Sequence, residues 1–206
     1  MRKLRNHWAR PLGTLGYYWF LTFEKSPALH SLAAECQALI DYPYFDPTPP
    51  EGLHLTLDRI GAGDEITSDQ IGSIETSARK ACESFSPFEI GTGRSSGLGS
   101  AVAFDVLPAE PIHDLRDTLR SAALAGYPEL SLREPKPYPP HITIAYANSD
   151  EIPTADSVTA VDEINRTARK AHITIDEVLL VILERRERSY AWQVFSRISL
   201  SGDPEP

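Results

Sequence analysis

The sequence predicts an α+β protein of two pseudo-symmetric lobes, each an antiparallel β-sheet with flanking helices, around a central cleft. Three observations carry this prediction. Strand-like and helix-like segments follow one another without the regular βαβ succession of a parallel sheet. A four-residue pattern occurs at His54-Leu55-Thr56-Leu57 and again at His141-Ile142-Thr143-Ile144, 87 positions later. Each copy leaves a proline-rich approach, residues 46–50 for the first and 134–140 for the second. Similar elements around two copies of one motif describe two related lobes.

The elements follow in order. Tyr17 to Phe23 reads as the first strand. Ser26-Pro27 opens a helix with an N-cap serine and a first-turn proline. Its apolar stripe is Leu29, Leu32, Ala33, Cys36, Leu39 and Ile40. After the first motif strand, Thr67-Ser68 starts a second helix with Ile71, Ile74, Ala78, Ala81 and Phe85 on one side. Residues 88–90 and 101–106 read as strands. The glycine-rich stretch between them lacks the Gly-Lys-Ser/Thr ending of a P-loop, and a strand rather than a helix follows it, so it reads as a turn or bulge. A third helix spans residues 111–125. After the second motif strand, Asp156 caps a fourth helix carrying Val161, Ile164 and Ala168. Two long strands, 173–183 and 190–200, close the chain around a charged tip, Arg185-Arg186-Glu187-Arg188. Residues 1–16 are an N-terminal extension, 17–200 one bilobal domain, and 201–206 a disordered tail.

Both motifs alternate with a period of two, which is strand geometry. His54 and Thr56 then share one face while Leu55 and Leu57 take the core; His141 and Thr143 divide from Ile142 and Ile144 in the same way. Two such strands across a cleft supply two imidazoles and two hydroxyls to one substrate, a set suited to phosphate. A third copy, His172-Ile173-Thr174-Ile175, follows a helix end rather than a proline-rich loop, and it reads as an ordinary strand start.

Composition narrows the class. With 206 residues and 41% hydrophobic content, the chain can bury a sizeable core. No stretch approaches the roughly 20 apolar residues of a membrane span. Two isolated cysteines, Cys36 and Cys82, make neither a disulfide framework nor a metal motif, so a cytoplasmic setting is expected. A net charge of −9 argues against a protein that coats long nucleic acid, but not against one that grips a single phosphate or an RNA end.

Two H-x-T-x motifs at this separation, on strands that leave loops, with Gly61 after the first, resemble the two-histidine (2H) phosphoesterase superfamily. The bacterial 2′-5′ RNA ligase and RNA 2′,3′-cyclic phosphodiesterase group is the nearest likeness, and it covers residues 17–200. The resemblance implies a cofactor-free, metal-independent phosphodiesterase with His54, Thr56, His141 and Thr143 as the catalytic set. It implies RNA 3′ ends or small cyclic nucleotides as partners of a monomer that needs no membrane. By analogy His54 protonates the ribose 3′ oxygen and His141 activates water; the residues themselves do not assign the roles. Many relatives carry an arginine shortly after the second motif. Here Ala145-Tyr146-Ala147 stands there, while Arg59 follows the first motif, and strand parity puts neither Arg59 nor Tyr146 beside its histidine unless a bulge intervenes. Tyr138, Tyr146 and Arg133 are the candidates for substrate binding.

Two rival readings stand beside this one. A metallohydrolase would use the histidines as ligands, with Asp58 on the face of His54; no HExxH or paired-cysteine motif accompanies it. A non-catalytic module would hold a nucleotide or RNA end without turnover.

Overall fold

The computed structural model describes residues 4–9, 11–97, 99–134, 139–167 and 169–203. Along the chain run β1 (Gly13–Thr22), α1 (Pro27–Ala38), β2 (Phe45–Pro47), a 3₁₀ turn (Pro50–Gly52), β3 (His54–Gly61) and α2 (Ser68–Cys82). There follow β4 (Phe88–Gly97), β5 (Ala101–Leu107), α3 (Glu110–Gly126), β6 (His141–Ala147) and α4 (Thr154–Thr167). The chain ends with β7 (His172–Ile175), β8 (Glu177–Arg185) and β9 (Tyr190–Ser199).

The strands form two antiparallel sheets, as the sequence predicts: β3-β1-β8-β9 and β2-β6-β5-β4-β7. Helices α2 and α3 pack on each other and on the first sheet; α1 and α4 pack on the second. The lobes are not halves of the sequence. Helix α1 follows a first-sheet strand but covers the second sheet, and α3 follows a second-sheet strand but covers the first. One continuous apolar core results, running from Trp19, Leu55 and Leu57 in the first sheet to Val102, Phe104 and Ile142 in the second. Burying it supplies the main driving force, at about 25 cal/mol per Å² of apolar surface.

Local chemistry explains the helix starts. Thr67 and Gln70 form a complete capping box at α2, each side chain bonding the other's backbone N–H. Ser26 occupies the cap position of α1 as expected, yet its side chain makes no capping bond; Pro27 carries the start instead. Asp156 is not the cap of α4 but lies in its first turn, where it accepts a 2.7 Å hydrogen bond from the Tyr44 hydroxyl. Ala168, expected on the inner stripe of that helix, lies outside the described residues.

Three expected strand bounds change. β1 starts at Gly13 rather than Tyr17. The glycine-rich stretch is mostly strand: β4 continues to Gly97 through a bulge between Thr92 and Ser95, and Gly99 supplies a positive φ before β5. The expected strand over 173–183 divides at Asp176, where the chain passes from the second sheet to the first. Burial explains the division. β7 alternates exposed and buried residues, as an edge strand does, whereas Val178 to Val181 is buried on both faces.

A bulge also removes Asp58 from the face of His54. Asp58 pairs across from Trp19, while Phe20 pairs with Thr56, so Leu57 is an extra residue. Asp58 therefore points with Trp19 toward the helices, where Arg120 and Arg116 of α3 bind it. All three side chains are at most 15% exposed. Replacing Asp58 by Asn removes the carboxylate that both arginines share in a largely buried site, and denaturant unfolding is expected to show a loss of about 3 kcal/mol.

Candidate active site

Strand β3 lies at the edge of the first sheet and touches β6 of the second, so the two motif strands meet where the lobes meet. The two imidazoles are held alike. His54 Nδ1 lies 2.8 Å from the Gly52 carbonyl oxygen, and His141 Nδ1 lies 2.9 Å from the Pro139 carbonyl oxygen. Both carbonyls belong to the second residue upstream, at the end of a proline-rich approach. A carbonyl only accepts, so Nδ1 is the protonated nitrogen in each neutral ring, and proton exchange falls to Nε2.

His54 sits in an apolar sleeve. Its ring stacks on Phe20 at 4.4 Å between centroids and meets the Trp192 ring edge-on at 5.2 Å. Phe20 is fully buried with Leu179, Val181 and Leu183 in a small cluster separate from the main core. Burial, with a smaller push from His141 and against the Gly52 bond, lowers the His54 pKa to about 4. His54 is therefore neutral at pH 7.

A second bulge shapes the other motif strand. Ala103 pairs with Thr143 and Val102 with Ala145, so Ile144 is the extra residue. Tyr146, opposite Ala101, consequently shares the face of His141 and Thr143, contrary to simple parity. Tyr146 and Thr143 share a side-chain hydrogen bond. Burial first, then Tyr190, pushes the Tyr146 hydroxyl pKa above its usual range and keeps it protonated. The bulge in β3 acts likewise on Arg59, which pairs opposite Tyr18 and joins the face of His54 and Thr56. Its guanidinium donates to the Leu15 carbonyl at 3.3 Å. In both strands, then, the residue five places after the histidine returns to the cleft face.

The other sequence candidates divide. Arg133 is exposed, and its backbone carbonyl is gripped by Arg120; it is absent from the described lining of the space beside His54. Tyr138 lies outside the described residues. His172 is exposed on β7, and β5 and β4 separate that strand from β6.

Several residues at the cleft were not singled out from the sequence. Asp105 pairs directly across from His141. The segment ahead of β1 packs on the second lobe: Leu4 is buried, and the backbone N–H groups of Arg5 and His7 donate to Gly99 and Ala147. His7 bridges the Ser100 and Tyr190 hydroxyls at 2.8 and 2.7 Å and lies against the Tyr146 ring at 4.3 Å. The tip between β8 and β9 is divided: residues 186–189 are exposed, as its charges suggest, while Arg185 is not. Arg185 is 2% exposed, binds the carbonyls of Trp8 and Pro11, and lies over the Trp8 ring. Arg188 grips Asp46 of β2 from across the cleft. Beside His54, Tyr146, Tyr190, Gly52 and Arg188 there remains a cavity of only about 30 Å³. Among the described residues no group of three His, Cys, Asp or Glu side chains is placed to hold a metal ion, and no helix is long and apolar enough to cross a membrane.

Comparisons agree with this fold. The family model described as the 2′-5′ RNA ligase superfamily matches residues 18–187. No curated protein matches the chain in sequence. Similar solved structures include TT0787 of Thermus thermophilus, at TM-score 0.68 and 19% identity, covering 91% of this chain and 99% of that one. E. coli LigT complexed with 3′-AMP gives TM-score 0.67 and 15% identity over 91% and 99%. The MHV ns2 PDE domain gives 0.53 and 13% over 84% and 99%.

The His54 environment predicts an acid-sensitive fold. Its folded pKa, about 4, lies below the unfolded value near 6.5. Between those values the unfolded chain binds more protons, so stability present above pH 6.5 is lost as pH falls toward 4, by at most about 3 kcal/mol. Thermal unfolding of His54→Gln should show a smaller loss than wild type over that window.

Proposed function

Because the chain belongs to the 2′-5′ RNA ligase superfamily, we propose that its cleft opens 2′,3′-cyclic phosphates of RNA ends or nucleotides to 2′-phosphates without a metal. One observation carries the proposal: two imidazoles lie on touching strands, each fixed through Nδ1 to a loop carbonyl, which puts proton transfer at Nε2 of both. E. coli LigT, solved with 3′-AMP, with NADP+ and with ATP, supports a ligand of nucleotide size.

In the reaction, water attacks phosphorus and gives its proton to one Nε2. The bond to the ribose 3′ oxygen breaks, and the other Nε2 protonates that oxygen. Thr56 and Thr143 donate to the non-bridging oxygens, where charge grows in the transition state. His54, neutral in the empty cleft, is already in the form a base needs. We therefore give it the base role and His141 the acid role, the reverse of the assignment that family analogy implies. With a 5′-hydroxyl in place of water as the nucleophile, the same groups join RNA ends through a 2′-5′ linkage.

Three measurements test this. Hydrolysis of 2′,3′-cyclic AMP in EDTA should yield the 2′-phosphate and fall about 10²–10⁴-fold in His54→Ala and in His141→Ala, with His172→Ala near wild type. Loss of turnover in EDTA would support a metal site; binding without turnover by folded wild type would support the non-catalytic reading. The profile of kcat/KM reports the free enzyme. Its acidic limb should extend well below pH 6.5, toward 4, in either role of His54. A bridging 3′-thio analogue, whose sulfur leaves without a proton, should restore turnover to His141→Ala but not to His54→Ala, and the reverse pattern would return the acid role to His54.

A further inference from the structure

The cleft described above contains a cation that the motifs do not account for. Arg188 lines the same small cavity as His54 and Tyr146, yet it belongs to the β8–β9 tip of the first lobe and is bound to Asp46 of the second. The grip is bidentate: Nε donates to Asp46 Oδ2 at 2.9 Å, and Nη2 donates to Oδ1. Arg188 and Tyr190 both line this small space and narrow the approach to His54.

The Asp46 pairing is built to be exchanged. Arg188 is 55% exposed, so water can screen the pair and replace its hydrogen bonds as it opens. Asp46 also keeps other donors: Trp8 Nε1 at 2.7 Å on Oδ2 and Asn148 Nδ2 at 3.0 Å on Oδ1. If Arg188 leaves, the carboxylate remains satisfied. The guanidinium fork that fits a carboxylate also fits two phosphoryl oxygens.

Resting on the reading of this cleft as a phosphodiesterase site, we propose that Arg188 is the substrate-gripping cation of this chain, and that Asp46 holds its place until a phosphoryl anion takes it over. The tip then swings from Asp46 to the substrate, and the same movement opens the space beside His54. The class of ligand is a ribose-bound phosphate, cyclic or opened, held by its non-bridging oxygens.

The test is a double-mutant cycle on the full chain, read by the KM for 2′,3′-cyclic AMP and by calorimetric binding of 2′-AMP. Arg188→Ala should weaken both at least tenfold, and Arg188→Lys should recover part of the loss. Asp46→Asn should tighten both severalfold, and that gain should vanish in the Arg188→Ala background. A KM that falls or stays constant in Arg188→Ala would reduce the pair to a clasp and overturn the proposal. So would a gain from Asp46→Asn that persists without Arg188, since simple charge removal would then explain it. Should wild type bind 2′-AMP without turning over the cyclic nucleotide, the phosphodiesterase reading fails, while the binding arm still decides the role of Arg188.

Discussion

The hydrogen bond from each imidazole Nδ1 to a carbonyl two residues upstream is the constraint on which the site depends. It does two things together: it selects the tautomer, and it aims the ring from a strand end toward the line where β3 meets β6. The proline-rich approaches make it reliable. A proline fixes its own φ and restricts the residue before it, so the carbonyl is presented with little freedom to lose. Pro50 opens the 3₁₀ turn that ends at Gly52, and Pro139 itself supplies the second carbonyl. That the same solution occurs in both lobes gives the sequence similarity of the two approaches a physical meaning.

The two bulges set what accompanies the histidines. A strand without a bulge would keep His, Thr and then the fourth residue after His on the cleft face. One extra residue shifts the parity, and the fifth arrives instead: Arg59 in one lobe and Tyr146 in the other. The same shift turns Asp58 away from His54 and into the pair of α3 arginines. The carboxylate that made a metal site arguable is thus structural, tying β3 to the helix that covers it.

Elements with strong local signals were legible in the sequence: the amphipathic helices, the motif strands, and the capping box at Thr67. The antiparallel two-sheet architecture followed from their order. Legibility ended where tertiary partners override local pattern. The bulges insert a residue without any glycine or proline to mark them, because Leu57 and Ile144 are ordinary β-formers. Arg185 reads as one charge in a polar tip, but its partners are the backbone carbonyls of Trp8 and Pro11, over 170 positions away. The division at Asp176 was hidden for a related reason: two strands in sequence continuity belong to different sheets, and only burial separates them. The aromatic residues His7 and Trp8 looked like an extension ahead of the fold, since nothing local connects them with Tyr146 and Tyr190.

These long-range contacts also distribute stability unevenly. The lobes share one apolar core, so a rigid opening of one lobe against the other would expose buried leucines, isoleucines and phenylalanines at a cost the fold cannot meet. The segment from Leu4 to Trp8 is better fixed than its position suggests, by a buried leucine, two backbone bonds and the His7 contacts. The tip beyond Arg185 is held differently. Residues 186–189 are exposed, and their grip on the second lobe is polar and half in water. Local opening follows the regions with few buried apolar contacts. Access to His54 is therefore controlled by the few residues whose displacement costs least, while the strands that aim the histidines remain anchored in the core.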